Sequence, residues 1–146
     1  MSVISPISDA GPLSRAMASA ASGMRAQALR ARLVAENLAN ANSTATGANG
    51  LPYQRKMMTF QQAIDQATGA GIVRPGPAMA DQTPFRTSYD PSHPAADANG
   101  YVKLPNVSEM VEEADMREAE RSYEANLATM SQARSMFSKT LDILKA

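Results

Sequence analysis

The side chains with the clearest potential for metal chemistry lie around the single histidine. His93 has Asp90 and Asp97 nearby in a stretch that also carries prolines. An imidazole and two carboxylates are suitable ligands, but no second histidine and no cysteine completes the set. Asp, Ser and Pro are also the residues that form turns. We therefore interpret this stretch as a polar turn and predict no metal, no cofactor and no histidine-based catalysis.

A second group with chemical potential is an acidic cluster in the last third of the chain. Paired carboxylates can act as general acid and base. Here they occupy the first turns of a predicted helix, where negative charge complements the helix dipole. Arg117 and Arg121 lie at the spacing of helix ion pairs. We expect most of these carboxylates to be solvated and predict that the protein is not an enzyme. The cluster consists of Glu109, Glu112, Glu113, Asp115, Glu118 and Glu120.

Composition and charge argue against several other classes of function. The 146 residues include 14 basic and 14 acidic side chains and no Trp, which argues against a nucleic-acid partner. No apolar run is long enough to span a membrane, so we predict no direct membrane insertion. The N-terminus lacks the regions of a conventional signal peptide, and no glycine-rich phosphate-binding motif occurs. Composition alone therefore predicts a cytoplasmic protein.

The acidic cluster lies on a predicted C-terminal helical arm, residues 106–146. The stretch after Pro105 has no Pro or Gly, and Asn106 is a candidate N-cap with Glu109 closing a capping box. Apolar residues recur every seven positions, which predicts a narrow stripe of the coiled-coil type and a partner helix along it. The stripe consists of Met116, Tyr123, Met130, Phe137 and Leu144, with Leu127 and Leu141 beside it.

A second helical arm is predicted near the N-terminus, over residues 13–42, after a flexible leader at residues 1–12. Met17, Met24 and Leu38 share a seven-residue spacing, and ten Ala occur between positions 16 and 41. This pattern favours the core of a helix bundle over a ligand site. The first arm carries a net charge of +3 over residues 12–40 and the second −3 over residues 107–146, which favours their pairing.

Between the arms, residues 43–105 form a predicted irregular unit containing β-hairpins. Asn49-Gly50 and Asn99-Gly100 are predicted hairpin turns. Tyr53–Gln62 is either a strand or a short helix, Ile72-Val73 a short strand, and Tyr101–Leu104 a strand. The fold class is thus mainly α with a small β-containing middle. The predicted core of the middle is Tyr53, Met58, Phe60, Val73, Phe85, Tyr89, Tyr101 and Leu104.

Three stretches together resemble the axial rod and hook proteins of bacterial flagella. ENLANANS, at the end of the first arm, resembles the asparagine-rich motif of that family. YDPSHPAADANGYVKLPNVSEMVE resembles the signature of its basal-body rod proteins, and AERSYEANLATMSQARSMFSKTLDIL resembles its closing helix. The resemblance covers about residues 13–60 and 86–146, and the short length is similar to that of the proximal rod class.

The resemblance implies a structural subunit of the proximal rod, the drive shaft of the basal body. It implies export by the flagellum's own type III apparatus without a cleaved signal, and a periplasmic location in the basal body in place of the cytoplasm. The implied partners are other rod proteins, copies of the same chain, and the protein at the junction with the export gate. An alternative is a coiled-coil adaptor of the export and assembly machinery that binds a partner helix.

The residues expected to carry assembly are the stripe positions of the two arms. Two arms rich in Ala and Met expose more apolar surface than one pair of helices can bury, so we expect them to order on assembly. The predicted assembly interface is Leu13, Met17, Met24, Val34 and Leu38 on the first arm, and Tyr123, Leu127, Met130, Phe137, Leu141 and Leu144 on the second. Predicted turn, capping or inter-arm positions are Asn37, Asn40, Tyr101, Asn106 and Asn126.

Overall fold

The computed structural model describes residues 11–47 and 50–145, which form two long terminal helices and a strand-containing middle. The elements are α1 (Pro12–Ala39), β1 (Lys56–Ile64), β2 (Gly71–Ala80), β3 (Arg86–Tyr89), β4 (Tyr101–Leu104) and α2 (Glu109–Lys145). The predicted fold class is confirmed at this level. Residues 1–10 of the predicted leader, and Asn49 of the predicted Asn49-Gly50 turn, lie outside the described residues.

The ends of α1 follow from local chemistry. Pro12 suits the first turn, where its missing N–H would have no helical partner, and Arg15 N donates to Gly11 O (3.1 Å). At the other end, Asn40 Nδ2 donates to Glu36 O (2.8 Å). Asn40 N also donates to Glu36 O (3.2 Å), so the last turn of α1 is held by both the main chain and the side chain of this asparagine.

The start of α2 differs from the prediction. Ser108 lies directly before the helix, and its carbonyl accepts the first helical bond from Glu112 N (3.0 Å). The prediction that Asn106 is the N-cap is therefore wrong, and its side chain contacts the middle of the chain instead. Once started, α2 continues for 37 residues because no Pro or Gly interrupts it.

β3 and β4 pair antiparallel, with Arg86 opposite Leu104 and Tyr89 opposite Tyr101. The predicted strand Tyr101–Leu104 coincides with β4. The predicted Asn99-Gly100 hairpin turn is wrong, because residues 90–100 connect the strands and Gly100 (φ 81°), but not Asn99, has positive φ. Gly100 N instead donates to Asp97 O (3.0 Å), which closes a turn at the end of this long connection.

β1 and β2 form a separate two-stranded sheet. The strand alternative for Tyr53–Gln62 is correct in type, although β1 begins at Lys56 and extends to Ile64, and the short-helix alternative is wrong. β2 spans 10 residues and so extends well beyond Ile72-Val73. Asp65 N donates to Ala70 O (2.8 Å) at the turn between the two strands.

The core of the middle is smaller than predicted. Phe60, Tyr89 and Tyr101 are 38%, 66% and 46% exposed, so their assignment to the core is wrong. Tyr89 and Tyr101 pack edge to face on the outside of their hairpin, with ring centroids 5.3 Å apart. Successive side chains of a strand point to opposite faces. Val102, on the face opposite to that of Tyr101, is the buried residue.

The described residues fall into two compact units to which both helices contribute. The first unit lies within Met1–Leu29, Phe60–Gly76 and Ala119–Ala146, and the second within Arg30–Thr59 and Pro77–Glu118. In the first unit, α1 approaches α2 so closely that a Cβ on Gly23 would lie 2.8 Å from Asn126 Nδ2. Across residues 11–47 and 50–145, neither helix has an apolar stretch that could cross a membrane.

Candidate functional site

A buried polar cluster organises the second unit, and its centre is Arg55. Arg55 lies directly before β1, and its guanidinium contacts three carboxylates. The distances are 2.5 Å from Nε to Glu112 Oε1, 3.3 Å from Nη1 to Asp81 Oδ2 and 3.4 Å from Nη2 to Asp115 Oδ2. The side chain of Glu112 is 0% exposed. We call Arg55, Asn37, Glu112, Asp81 and Asp115 the Arg55 cluster.

Asn37 connects α1 to the other parts of the cluster. Its Nδ2 donates to Glu112 Oε2 (2.9 Å) and to Lys56 O (2.9 Å). Its Oδ1 accepts from Tyr53 Oη (2.8 Å) and Lys56 N (3.0 Å). An amide side chain has two N–H donors and two lone pairs, so every hydrogen-bonding position of Asn37 is used. The predicted stripe could not reveal this, because Asn37 is polar and lies beside it.

Asn106 holds the start of β1 against the end of β2. Its Oδ1 accepts from Arg55 N (2.7 Å). Its Nδ2 donates to Asp81 O (3.0 Å) and to Thr83 O (3.0 Å). These contacts replace the helix-capping role that we expected of this residue.

Most acidic side chains at the start of α2 are exposed, as predicted: Glu109, Glu113, Glu118 and Glu120 are exposed, whereas Asp115 is half-buried and Glu112 is buried. Several of them nevertheless have partners. Arg30 of α1 donates to Asp115 Oδ1 (2.9 Å) and Glu118 Oε1 (3.4 Å). Asn42 Nδ2 donates to Glu109 Oε1 (2.6 Å). Together with the buried Glu112, these contacts fix the first turns of α2 against α1 within the second unit.

Burial, hydrogen bonds and charges shift the pKa values of Arg55, Asp81 and Tyr53. Burial lowers the pKa of Arg55, but the hydrogen bond and charge of Glu112 oppose it and, with those of Asp81, leave this pKa raised. The pKa of Asp81 is lowered, chiefly because Thr83 N donates to its Oδ1 (2.9 Å). Burial raises the pKa of Tyr53. Each shift favours the form that the observed hydrogen bonds require: a cation, an anion and a neutral phenol donor.

The geometry is suited to holding chain segments together and offers no reactive group. The guanidinium of Arg55 is surrounded by carboxylates. All hydrogen-bonding groups of the Asn37 amide are already used. Within residues 11–47 and 50–145, no three His, Asp or Glu side chains are placed to bind a metal. His93 Nδ1 accepts from Ala95 N (3.0 Å), and its Nε2 lies 3.4 Å from Thr44 Oγ1, as in a polar turn.

The predicted assembly residues divide into two groups by exposure. On α1, Val34 is buried within the chain, whereas Leu13, Met17, Met24 and Leu38 are half-buried. On α2, Met130 is half-buried and the other predicted residues are exposed, from 37% at Tyr123 to 78% at Leu144. This exposed set is Tyr123, Leu127, Phe137, Leu141 and Leu144.

A groove in the first unit brings predicted residues of both arms together. It has a volume of about 260 Å³ and lies between α1 and α2. Its lining includes Met24 of α1 and Tyr123 and Met130 of α2. Asn126, also in this unit, donates from Nδ2 to Ser122 O (2.8 Å) and lies against Gly23. Within this unit, two of the α2 stripe positions therefore face α1.

Sequence reasoning missed Arg55 and Asp81. Both lie beside strands in stretches of mixed polar and apolar residues, and no periodic pattern marks them. Their partners are far away in sequence, with 57 positions between Arg55 and Glu112 and 26 between Arg55 and Asp81. A polar pair with such separation becomes visible only after the chain is folded.

Known proteins are similar to this chain over most of its length and of theirs. A family model described as "Flagellar basal body rod FlgEFG protein C-terminal" matches residues 98–143. Flagellar basal-body rod protein FlgC of Agrobacterium fabrum is 47% identical over 135 residues, which is 92% of this chain and 97% of that protein. FlgC of Salmonella typhimurium is 43% identical over 126 residues, covering 85% of this chain and 92% of that protein.

A more distant relative agrees. FlgC of Bacillus subtilis is 37% identical over 140 residues, covering 86% of this chain and 93% of that protein. Identity at this level over almost the whole of both chains includes the helical arms and the middle alike. The chain therefore belongs to the family of flagellar basal-body rod protein FlgC.

Proposed function

We propose that this chain builds the proximal part of the rod by packing its terminal helices, in a coiled-coil-like manner, with those of neighbouring subunits, and that it transmits torque there. Membership of the family makes the chain a structural protein of the basal-body rod and not an enzyme. The adaptor alternative is not favoured, because the relatives are named as rod proteins.

The observation that carries the proposal is the unpartnered end of α2. Every residue from Arg134 to Leu144 is exposed. Phe137, Leu141 and Leu144 remain on one side of the helix, with 50%, 41% and 78% of their surface exposed. Most helical stability in proteins comes from tertiary packing of an apolar face. An apolar stripe on such a segment is therefore best explained by packing against another helix.

The location and partners follow from the same proposal. We place the assembled chain in the periplasmic rod, after export through the flagellar type III apparatus without a cleaved signal. Its partners would be other rod proteins, further copies of this chain, and the protein at the junction of the basal body and the export gate. The family supports contact with other rod components.

A pair of matched double variants tests the proposal. Phe137→Ser with Leu144→Ser removes two residues of the stripe, and Met136→Ser with Ile143→Ser removes their neighbours on another side of the helix. The two pairs have the same spacing, and their exposures match closely, at 50% and 78% against 48% and 77%. Any loss of helix propensity is therefore similar in both variants.

The assay is complementation in a strain that lacks the corresponding gene. We expect the Phe137/Leu144 variant to be made and exported but to give no rods and no motility, while the Met136/Ile143 variant restores both. Removal of residues 130–146 should behave like the first variant. Normal rods and motility with Phe137→Ser/Leu144→Ser would overturn the proposal.

A further inference from the structure

The pair Asn99-Gly100, in the connection between β3 and β4, has the composition of a spontaneous modification site. The carboxamide of an asparagine can be attacked by the main-chain nitrogen of the next residue, and a glycine in that place has no side chain to hinder the attack. Asn99 is exposed. Within residues 11–47 and 50–145 its carboxamide makes no hydrogen bond, and only its main-chain N is bonded, to Asp97 Oδ1 (2.8 Å). The electrophile of this reaction is therefore accessible in the folded chain.

The nucleophile, Gly100 N, is held in place by contrast. Gly100 is buried, and its N donates to Asp97 O (3.0 Å). An amide nitrogen attacks a carboxamide only after it has lost its proton to base. Amide protons in hydrogen bonds of a folded protein are lost when the structure opens locally. Folding thus withholds the nucleophile while it leaves the carboxamide exposed.

The side chain of Asp97 keeps this turn closed. Its Oδ1 accepts from Asn99 N (2.8 Å) and from Tyr101 N (2.9 Å). An aspartate that binds the main chain two residues on stabilises a turn, and hydrogen bonds to a charged group are stronger than those between neutral groups. Asp97 N also donates to Tyr101 O (2.9 Å). Opening the turn therefore breaks bonds on both sides of the Asn99-Gly100 pair.

We propose that Asn99-Gly100 is a deamidation site that reacts in the unfolded chain and is blocked by the Asp97 turn in the folded chain. Gly100 N loses its proton and forms a bond to Asn99 Cγ, the bond from Cγ to Nδ2 breaks, and ammonia leaves. Water then opens the succinimide ring. Cleavage of the bond from Gly100 N to Cγ gives aspartate, and cleavage of the bond from Gly100 N to the main-chain carbonyl carbon gives isoaspartate. In total, one water is consumed and one ammonia is released.

The two products differ in their effect on the β3–β4 hairpin. Aspartate only adds a charge to an exposed side chain. Isoaspartate adds a carbon to the main chain directly before Gly100. A Cβ on Gly100 would already lie 3.0 Å from Tyr89 Cε2 and 3.1 Å from Pro91 Cβ. Such close packing leaves little space for a longer main chain, so a chain that has formed isoaspartate should close this connection less well.

The test compares the folded with the unfolded chain and uses a second asparagine as an internal standard. The purified protein is incubated at mildly alkaline pH in buffer and in concentrated guanidinium chloride, and deamidation is followed by peptide mass spectrometry. Asn49-Gly50 is also preceded by alanine, so the two sites should react at similar rates in the denaturant. In buffer, Asn99 should react at least about tenfold more slowly than in denaturant, because opening breaks hydrogen bonds to the Asp97 carboxylate.

Two variants at position 97 show whether the turn provides the protection. Asp97→Ala removes the accepting oxygen and should raise the rate at Asn99 in buffer by about tenfold. Asp97→Asn keeps an acceptor and should keep most of the protection. The rate of each variant in denaturant corrects for any effect of the changed residue on the chemistry, and circular dichroism establishes that each variant is folded in buffer.

Two results would overturn the inference. One is an equal rate at Asn99 in buffer and in denaturant, and the other is full protection in folded Asp97→Ala. If Asp97→Ala does not fold, Asp97→Asn decides, since loss of protection in this folded variant would show that the turn does not block the reaction. The reaction involves this chain alone, so its outcome is independent of rod assembly and of the proposed function.

The variant Asn99→Asp separates the added charge from the longer main chain. It should unfold at the same denaturant concentration as the unaltered chain, because the Asn99 side chain makes no hydrogen bond within the described residues. Chains that have formed isoaspartate, separated after incubation in denaturant and refolded, should unfold at a lower concentration. Equal midpoints for isoaspartate chains and Asn99→Asp would overturn the expected effect on the hairpin.

Discussion

Replacement of Arg55 by methionine tests whether the Arg55 cluster holds the second unit together. The change keeps a long side chain but removes the cation from three carboxylates, one of which, Glu112, is fully buried. Removal of one partner of a buried ion pair costs about 3–5 kcal/mol, because the other charge is left uncompensated. Asp81 and Asp115 are partly exposed, and water compensates them in part. We therefore expect a loss of about 3–4 kcal/mol in the free energy of unfolding.

Two companion variants show whether the loss comes from the stranded carboxylate. Glu112→Gln keeps an acceptor for Asn37 and leaves Arg55 in contact with Asp81 and Asp115. It should cost about 1.5–3 kcal/mol, the range for hydrogen bonds to charged groups. The double variant Arg55→Met/Glu112→Gln removes both the guanidinium and the fully buried carboxylate. We expect it to be about 1–2 kcal/mol more stable than Arg55→Met alone.

The assay is urea unfolding followed by tyrosine emission. The chain has no Trp and 4 Tyr, of which Tyr53, Tyr89 and Tyr101 report on the second unit and Tyr123 on the first. With a slope of about 2 kcal/mol per molar urea, Arg55→Met should lower the midpoint by about 1.5–2 M. A double variant less stable than Arg55→Met would refute the reasoning, since Glu112 would then contribute without needing its cation.

Two glycines and one carboxylate give three further predictions. Gly23→Ala places a methyl group 2.8–2.9 Å from the Asn126 amide, so it should lower the free energy of unfolding by about 1–3 kcal/mol. Adding Asn126→Ala should restore the midpoint of thermal unfolding. An unchanged midpoint in Gly23→Ala alone would contradict the close approach of the two helices. Alanine at position 100 in Gly100→Ala must adopt a φ of +81°, which should lower the free energy of unfolding by about 1–2 kcal/mol. Gly71→Ala, with open space around it, is the control. Equal thermal midpoints for the two variants would argue against backbone strain at Gly100. The pKa of Asp81 is lowered on folding, so its contribution to stability is present above the ordinary aspartate pKa of about 3.9 and is lost as pH falls through the folded value. Unfolding midpoints of Asp81→Asn should fall less steeply than those of the unaltered chain below about pH 4, and parallel curves would exclude this carboxylate as a source of acid sensitivity.

The helices and the fold class could be predicted from the sequence because their signals are local. A seven-residue apolar repeat predicts a helix in both arms, because α2 contains no Pro or Gly and α1 contains only Gly23 after its first residue, Pro12. The strand Tyr101–Leu104 was also predictable, because it lies between Gly100 and Pro105 and alternates in side-chain type.

The Arg55 cluster could not be predicted because it depends on tertiary contacts. Asn37 and Glu112 are 75 positions apart, and each fits an ordinary helix pattern when considered alone. Asn106 is the opposite case, in which a local pattern predicts a role that tertiary contacts prevent. Its type and its spacing to Glu109 satisfy the rule for an N-cap. Its side chain instead forms hydrogen bonds with the main chain of Arg55 and Thr83. Alternation likewise predicts two faces for a strand without saying which one is buried.

The complete bonding of Asn37 affects how the second unit responds to mechanical load. Surfaces of alanine and methionine allow helices to slide, because many offsets bury similar apolar area. A slide of one turn, about 5.4 Å, would carry Asn37 away from Glu112 and leave a carboxylate without its amide. Hydrogen bonds weaken within a fraction of that distance. A smaller displacement of α1 along α2 therefore also breaks the bonds of Asn37. Under shear, the two helices of this unit should therefore stay fixed up to a threshold force and then yield abruptly.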